Sequence, residues 1–400
     1  MQGKGAEEPL SGGKGIQQTY IYLSALYVFI YYGFGAFFPL MSQYYKSIHL
    51  TGTEIGTISS ITPIVSILAQ PIWGMICDRY SIRKPVLIGT LLSTAAISLL
   101  FSMVSSYAWI LFLFTIFSVF QCALVPISDS IALSYAKKEN MQFGNIRMWG
   151  AVGFAVAVFF TGIAVEKWGP NAIFYCFAIA LIIAMLSLRG IPDGSNEFSS
   201  VNLLSGLGQL LRLPRFLLFL ISSFFIFGAI NANNIWFSLY YQHIGGSVSG
   251  IGLAFLLFAG SEAPFMKIAA SFTRRFGMEI TLLLAGTVSA IRWLWYGTAP
   301  STTMILCLFF IQGISAGFYL ANAAQFVREN TPPALQVTAL ALFTSLGYGL
   351  GSMANNLLGG IIMDRWGILS TYTFFGVSTL IGLIPLIYLT IKRPRKALSA

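Results

Sequence analysis

Long apolar runs, each closed off by a few polar or charged residues, follow one another along nearly the whole chain. A bilayer-spanning helix needs about 20 predominantly apolar residues. Twelve runs reach that length: 18–44, 52–76, 84–104, 107–135, 144–166, 170–189, 216–241, 249–272, 279–298, 302–327, 335–362 and 369–391. Most connections between them are short and polar. The stretch from Arg189 to Arg215, RGIPDGSNEFSSVNLLSGLGQLLRLPR, is the exception, rich in Gly, Ser, Pro and charge. It parts the runs six from six. The pattern therefore predicts a tail at 1–17, a six-helix bundle at 18–189, a linker at 190–215, a second six-helix bundle at 216–391 and a tail at 392–400. The Gly-rich start leads into a run of about 25 residues, longer than a cleaved signal core, so it reads as a tail before a retained helix.

Composition points the same way. The chain is 56% hydrophobic and only 9% charged, against roughly 25% charged residues in soluble domains, so a water-facing surface cannot be covered. A net charge of +10 would suit a nucleic-acid binder. The basic residues fall instead in short loops, where membrane orientation explains them. With the amino terminus inside, seventeen of the 23 Lys and Arg lie on the cytosolic side. Lys46, Lys167 and Arg365 lie outside, and Arg147, Lys267 and Arg292 lie within runs. This places both termini, the linker and the tails in the cytoplasm of a multi-pass cell-membrane protein, with the lipid bilayer as a partner and no nucleic acid. Cys77, Cys122, Cys176 and Cys307 have unrelated spacings and read as packing residues, with no metal site. No Gly-x-x-x-x-Gly-Lys-[Ser/Thr] motif is present. No cofactor is expected.

An internal repeat supports the division. The fifth run ends Gly162-Ile-Ala-Val-Glu166-Lys167-Trp168-Gly169, and the eleventh ends Gly360-Ile-Ile-Met-Asp364-Arg365-Trp366-Gly367. Both read Gly, three apolar residues, acid, base, Trp, Gly. The loops Asp78-Arg79-Tyr80-Ser81 and Arg274-Arg275-Phe276-Gly277 correspond at almost the same offset. Parallel six-helix repeats of this kind build one large class of secondary transporters, with the substrate site near the midplane between the halves.

Ionisable residues are costly within apolar runs and mark functional sites. Away from the run ends five stand there: Asp129, Arg147, Glu262, Lys267 and Arg292. The midpoint of Asp129 and Arg147 is residue 138, inside the turn Lys137-Lys138-Glu139-Asn140, so folding the chain there brings them to one depth on neighbouring antiparallel helices. They form either a structural ion pair or part of a binding site. Glu262, just before Pro264, has Lys267 about 140° around its own helix and thus no basic neighbour one turn away. It is the first candidate for a group that loads and releases a proton, and Asp129 is the second. Lys267 can reach water by snorkelling. Asn231, Asn233, Asn234, Asn322, Gln325, Asn355 and Asn356 either line a cavity or join helices. Tyr31, Tyr32, Tyr240 and Tyr241 either meet a ring-bearing ligand or sit in interfacial belts.

The run Gly74-Met-Ile-Cys-Asp78-Arg79-Tyr80-Ser81-Ile82-Arg83-Lys84 resembles the cytoplasmic loop signature of the major facilitator superfamily, with Ser81 where that signature has Gly. Gln70-Pro71, Phe143-Gly144-Asn-Ile-Arg147-Met-Trp149-Gly150 and Leu282-Leu-Leu-Ala-Gly286 with Arg292 are similar to the lactose-permease-like branch, and within it to phenylpropionate-permease-like members. The resemblance implies an all-α membrane protein of twelve helices in two six-helix bundles, not an enzyme. It implies a gating loop at Gly74, Asp78, Arg79, Arg83 and Lys84, and substrate contacts at Asp129, Arg147 and Arg292, joined as candidates by Asn231 and Asn322. Run ten lacks the His and Glu that the lactose permease uses in proton coupling, which leaves that work to Glu262 or Asp129. The function expected is proton-coupled import, by a monomer, of a small organic solute: an aromatic acid, a sugar or a nucleoside. A proton-coupled efflux antiporter, or a non-transporting receptor or scaffold, are the alternatives.

Overall fold

The computed structural model describes residues 13–139, 141–191 and 207–392. The side chains of residues 13–16, Asp78, Leu207, Ala263, Ala334 and Val337 are not among those described. The tails at 1–12 and 393–400, most of the expected linker (192–206) and Asn140 also lie outside the described residues.

The described chain is helical throughout. Helix α1 (Gly13–Phe37) stops just before Pro39, and a short α2 (Met41–Ser47) completes the first crossing. Proline lacks an N–H donor and crowds the preceding turn, so a break at this point is its ordinary consequence. There follow α3 (Gly52–Tyr80), α4 (Arg83–Phe101), α5 (Tyr107–Lys138), α6 (Phe143–Trp168) and α7 (Ala172–Ser187). After the division come a short α8 (Leu207–Leu210), then α9 (Pro214–His243), α10 (Val248–Phe276) and α11 (Met278–Gly297). The tenth crossing is assembled from α12 (Thr302–Cys307), α13 (Phe310–Gln312), a π-helical turn at Gly313–Gly317 and α14 (Phe318–Glu329). The eleventh comprises α15 (Gln336–Leu342), a π-helical segment at Phe343–Leu350 and α16 (Gly351–Trp366). The twelfth is α17 (Ile368–Ile391).

Among the described residues, nine helical runs are long and apolar enough to cross a membrane. The other three crossings are α11, which carries Glu279 and Arg292, and the two interrupted by π-helical segments. π-Bulges widen a helix locally and occur often at functional sites. That in the tenth crossing rests on α10: a side chain at Gly313 would meet the Ser261 carbonyl oxygen at 2.8 Å, and one at Gly317 the Glu262 carbonyl oxygen at 3.0 Å.

Each half has its own aromatic core. In the first, Phe37 stacks on Phe117 with centroids 4.8 Å apart, among Phe101, Phe174 and Phe177. In the second, Tyr240, Trp293, Tyr296, Tyr372 and Phe375 are all buried together. Between the halves, α3 packs on α16 and α6 on α10. These contacts bring backbones close. A Cβ on Gly52 would meet the Gly360 carbonyl oxygen at 2.7 Å, and one on Gly252 would meet the Phe159 Cα at 2.6 Å. In α1–α2 and α9, Ser42 and Ser238 share a hydrogen bond of 2.7 Å, and Ser238 also donates to the Pro39 carbonyl. These residues lie at the ends of the helices away from the basic loops. Small residues at helix interfaces are how membrane bundles gain contact without a hydrophobic driving force.

Candidate functional site

The first candidate site is built on α1, α5 and α6. Asp129 follows Pro126 by three residues in α5, and Arg147 lies in the second turn of α6. The expected meeting at one depth is present: an Arg147 guanidinium nitrogen lies 2.5 Å from one Asp129 carboxylate oxygen. The other oxygen accepts from the Tyr27 hydroxyl at 2.6 Å. Arg147 also donates toward the Tyr31 hydroxyl at 3.4 Å and lies 6.0 Å from the Phe143 ring centroid, one turn back on its own helix. Tyr27 and Tyr31 are four residues apart on α1 and therefore share a face, with their rings stacked at 6.2 Å. Gly150 makes room for them, since a Cβ there would lie 2.7 Å from the Tyr31 ring. Asp129 and Arg147 retain 21% and 46% of their side-chain exposure, so the pair is not sealed inside the bundle. Tyr27 is the functional candidate that sequence reasoning missed. The i, i+4 spacing of Tyr27 and Tyr31 was its only local signal.

The second site is built on α10, α11 and α13, and it corrects one expectation and adds to another. Arg292 was expected to face the cavity, but it is 2% exposed. It donates to the Gln312 side-chain oxygen, and its guanidinium carbon sits 3.9 Å from the Trp293 ring centroid. Gln312 in turn donates to a Glu262 carboxylate oxygen at 3.2 Å. Glu262, which has no basic neighbour one turn away on its own helix, is thus joined to Arg292 through one amide. The expectation considered only Glu262's own helix, whereas the cation comes from α11 and the bridge from α13. Two further guanidinium nitrogens of Arg292 are buried without a hydrogen-bond partner, as is the Trp293 indole nitrogen.

The amide candidates separate. Asn231 is partly exposed and ties its amide to the Phe227 carbonyl, leaving its oxygen side available. Asn322 is a correction: it is 2% exposed, accepts from Thr273 at 2.7 Å and donates to the Phe318 carbonyl, joining α14 to α10 instead of lining a cavity. Asn233 accepts from Tyr372, and Asn356 accepts from the Trp236 indole. Asn355 donates to the Gly351 carbonyl, and Gln325 to Glu329. Asn233 and Asn356 are buried helix joints, whereas Asn355 is buried with its side-chain oxygen unpartnered. Lys267 is exposed.

In the loop after α3, Gly74 has open space around it, Arg79 stacks near Tyr80 and Arg83 is buried at the start of α4. Lys84 donates to the Ile191 carbonyl at 2.8 Å. The Asp78 side chain lies outside those described. Ser81, which stands where the resembled signature has Gly, ends α3 at φ 55°, ψ 34°. Only Gly occupies that left-handed region without a Cβ penalty of about 1–2 kcal/mol.

Comparison with known proteins places this geometry in context. A family model described as "MFS_1 like family" matches residues 20–374. The chain is 39% identical to a maltose permease of Geobacillus stearothermophilus, over 93% of this chain and 94% of that protein. It is 24% identical to a probable 3-phenylpropionic acid transporter of Escherichia coli, over 76% of this chain and 80% of that protein. The crystal structure of the nucleoside transporter NupG superposes with a TM-score of 0.83, covering 94% of this chain and all of that one, at 16% identity, a likeness of fold.

Proposed function

Since the chain belongs to the MFS_1 like family and is thus a major facilitator transporter and not an enzyme, we propose that it imports a neutral, hydroxyl-rich solute of the maltose type together with protons. The observation that carries this reading is the state of Arg147. Its charge is already met by Asp129, and both groups stay partly exposed while Tyr27, Tyr31 and Phe143 flank them. A carboxylate that accepts from hydroxyls, a guanidinium that donates to them and an aromatic face suit a sugar ring. An aromatic acid would have to displace Asp129 from Arg147, or reach Arg292 behind Gln312. The 39% identity to a maltose permease supports the same choice.

The sided distribution of Lys and Arg supports termini in the cytoplasm of a cell membrane. On that orientation the packed ends of α3, α6, α10 and α16 are the outer ends, and the molecule faces inward. Glu262 is the proposed proton carrier, because its link to Arg292 runs through an uncharged amide, whereas Asp129 contacts a guanidinium directly. The gating loop and a monomeric transporter complete the reading.

The test is uptake by proteoliposomes under an imposed inward proton gradient, with labelled maltose, 3-phenylpropionate and a nucleoside compared. Gradient-driven accumulation of maltose is the expected result. Accumulation of the aromatic acid instead, export, or indifference to the gradient would overturn the proposal.

A further inference from the structure

The repeated sequence Gly, three apolar residues, acid, base, Trp, Gly has no part in either charged cluster, yet its positions have parallel surroundings in the two halves. At the end of α16, Asp364 accepts from the backbone N–H of Gly52 at 2.5 Å and of Thr53 at 2.8 Å, and from the Thr53 hydroxyl at 2.5 Å. These are the first residues of α3, in the opposite half. At the end of α6, Glu166 accepts from the backbone N–H of Ser249 at 3.1 Å, in the first turn of α10, again in the opposite half. A helix leaves its first four N–H groups without internal partners. In both cases the helix supplies one cap itself. Thr51 takes the Glu54 N–H at 3.2 Å, and Ser247 takes the Gly250 N–H at 3.0 Å. The other half's carboxylate takes donors left over, where negative charge is also favoured by the helix dipole.

The glycine that opens each repeat makes this reach possible. Gly360 lies against the Gly52 backbone, and Gly162 lies where a Cβ would be 3.1 Å from the Val248 carbonyl oxygen. The acid follows four residues later, one turn along the same face, and so arrives over the first turn of the helix that the glycine touches. The closing glycines take φ of 85° at Gly169 and 83° at Gly367, which ends both helices alike.

We propose that Glu166 and Asp364 are gate residues of the transport cycle: each half lends a carboxylate cap to a helix of the other, and together the two caps hold the outer gate shut. The inference rests on alternating access and on the outer assignment of these ends, not on the choice of substrate. Because the capped N–H groups lie at a water-facing end, opening the gate returns them to solvent at small cost, as a reversible latch requires. The latch is unequal, with three bonds to Asp364 and one to Glu166.

The test needs no substrate. Spin labels at Ser105 and Thr303, exposed on the two halves beyond these ends, report the outer distance in purified protein whose four native cysteines are replaced by serine. Asp364→Asn should raise the ratio of long to short distances about fivefold, and Glu166→Gln about twofold. Thr53→Ala, which keeps the backbone bonds, should shift it in the same direction by less than Asp364→Asn. Arg365→Ala, beside the latch, should leave it unchanged. A double variant, Glu166→Gln with Asp364→Asn, that remains folded with an unaltered distance distribution would overturn the proposal, as would a shift toward the shorter distance. If Asp364→Asn fails to fold, Glu166→Gln and Thr53→Ala carry the same prediction and the same refutation. A failure of uptake with these distance changes intact would count against the proposed substrate and leave the gate standing.

Discussion

The two charged clusters use similar parts in opposite ways. In the first half an acid and an arginine touch directly, remain partly exposed and are bracketed by two tyrosines. In the second an acid and an arginine are separated by a glutamine, and the arginine is sealed against Trp293. In the first half the opposite charges meet at contact distance, which suits a fixed polar wall for a neutral ligand. In the second the carboxylate meets the neutral amide of Gln312 and not the guanidinium itself, which suits the group proposed to change charge during a cycle. The difference lies in the spacing of the same two residue types, and on it rests the proposal that binding belongs to one half and coupling to the other.

Several substitutions break or sharpen that contrast. The largest effect is expected from Arg147→Gln, which leaves Asp129 without its cation in a low-dielectric site. Substrate affinity should fall by at least about thirtyfold in equilibrium binding, since uncompensated charges of this kind cost about 2 kcal/mol or more even when partly exposed. Retained affinity would remove the pair from the binding site. Next, Gln312→Leu strands the buried Arg292 and parts it from Glu262. A loss of about 2 kcal/mol in unfolding free energy is expected, read as a lowered thermal midpoint, with substrate affinity within a few-fold of the parent. An unchanged midpoint would mean that the amide bridge holds nothing together. Tyr27→Phe deletes one hydrogen bond to Asp129 and keeps the ring, so affinity should weaken about fivefold, or about 1 kcal/mol. The smallest effect belongs to the loop: Ser81→Gly should raise the midpoint, by an amount set by roughly 1 kcal/mol of relieved backbone strain, with transport unaltered. A lowered midpoint would show that Ser81 is not strained.

Much of the fold was legible because membrane crossings announce themselves by length and apolarity. The exceptions are physical ones. The break at Pro39 follows from proline itself, and the π-helical turns at Gly313–Gly317 and Phe343–Leu350 go with close approach of neighbouring backbones; hydropathy records neither. The Asp129–Arg147 pair was legible because a short turn forces consecutive helices to meet. Tyr27 was not, since α1 reaches Asp129 from 102 residues away. The link from Glu262 to Arg292 escaped notice for a similar reason: each of its three members sits on a different helix. The repeated acids were visible as a repeat, but not as caps, because their partners lie in the other half.

The division of labour between the two clusters is most directly tested by measuring two quantities in the same proteoliposomes: accumulation of labelled substrate under a proton gradient, and its exchange across the membrane without one. Glu262→Gln should abolish accumulation and preserve exchange, because a permanently neutral side chain still permits the substrate-loaded carrier to alternate. Asp129→Asn should depress both together, because it weakens binding itself. Should Asp129→Asn be the variant that exchanges without accumulating, while Glu262→Gln loses both, the roles assigned to the two halves would be reversed.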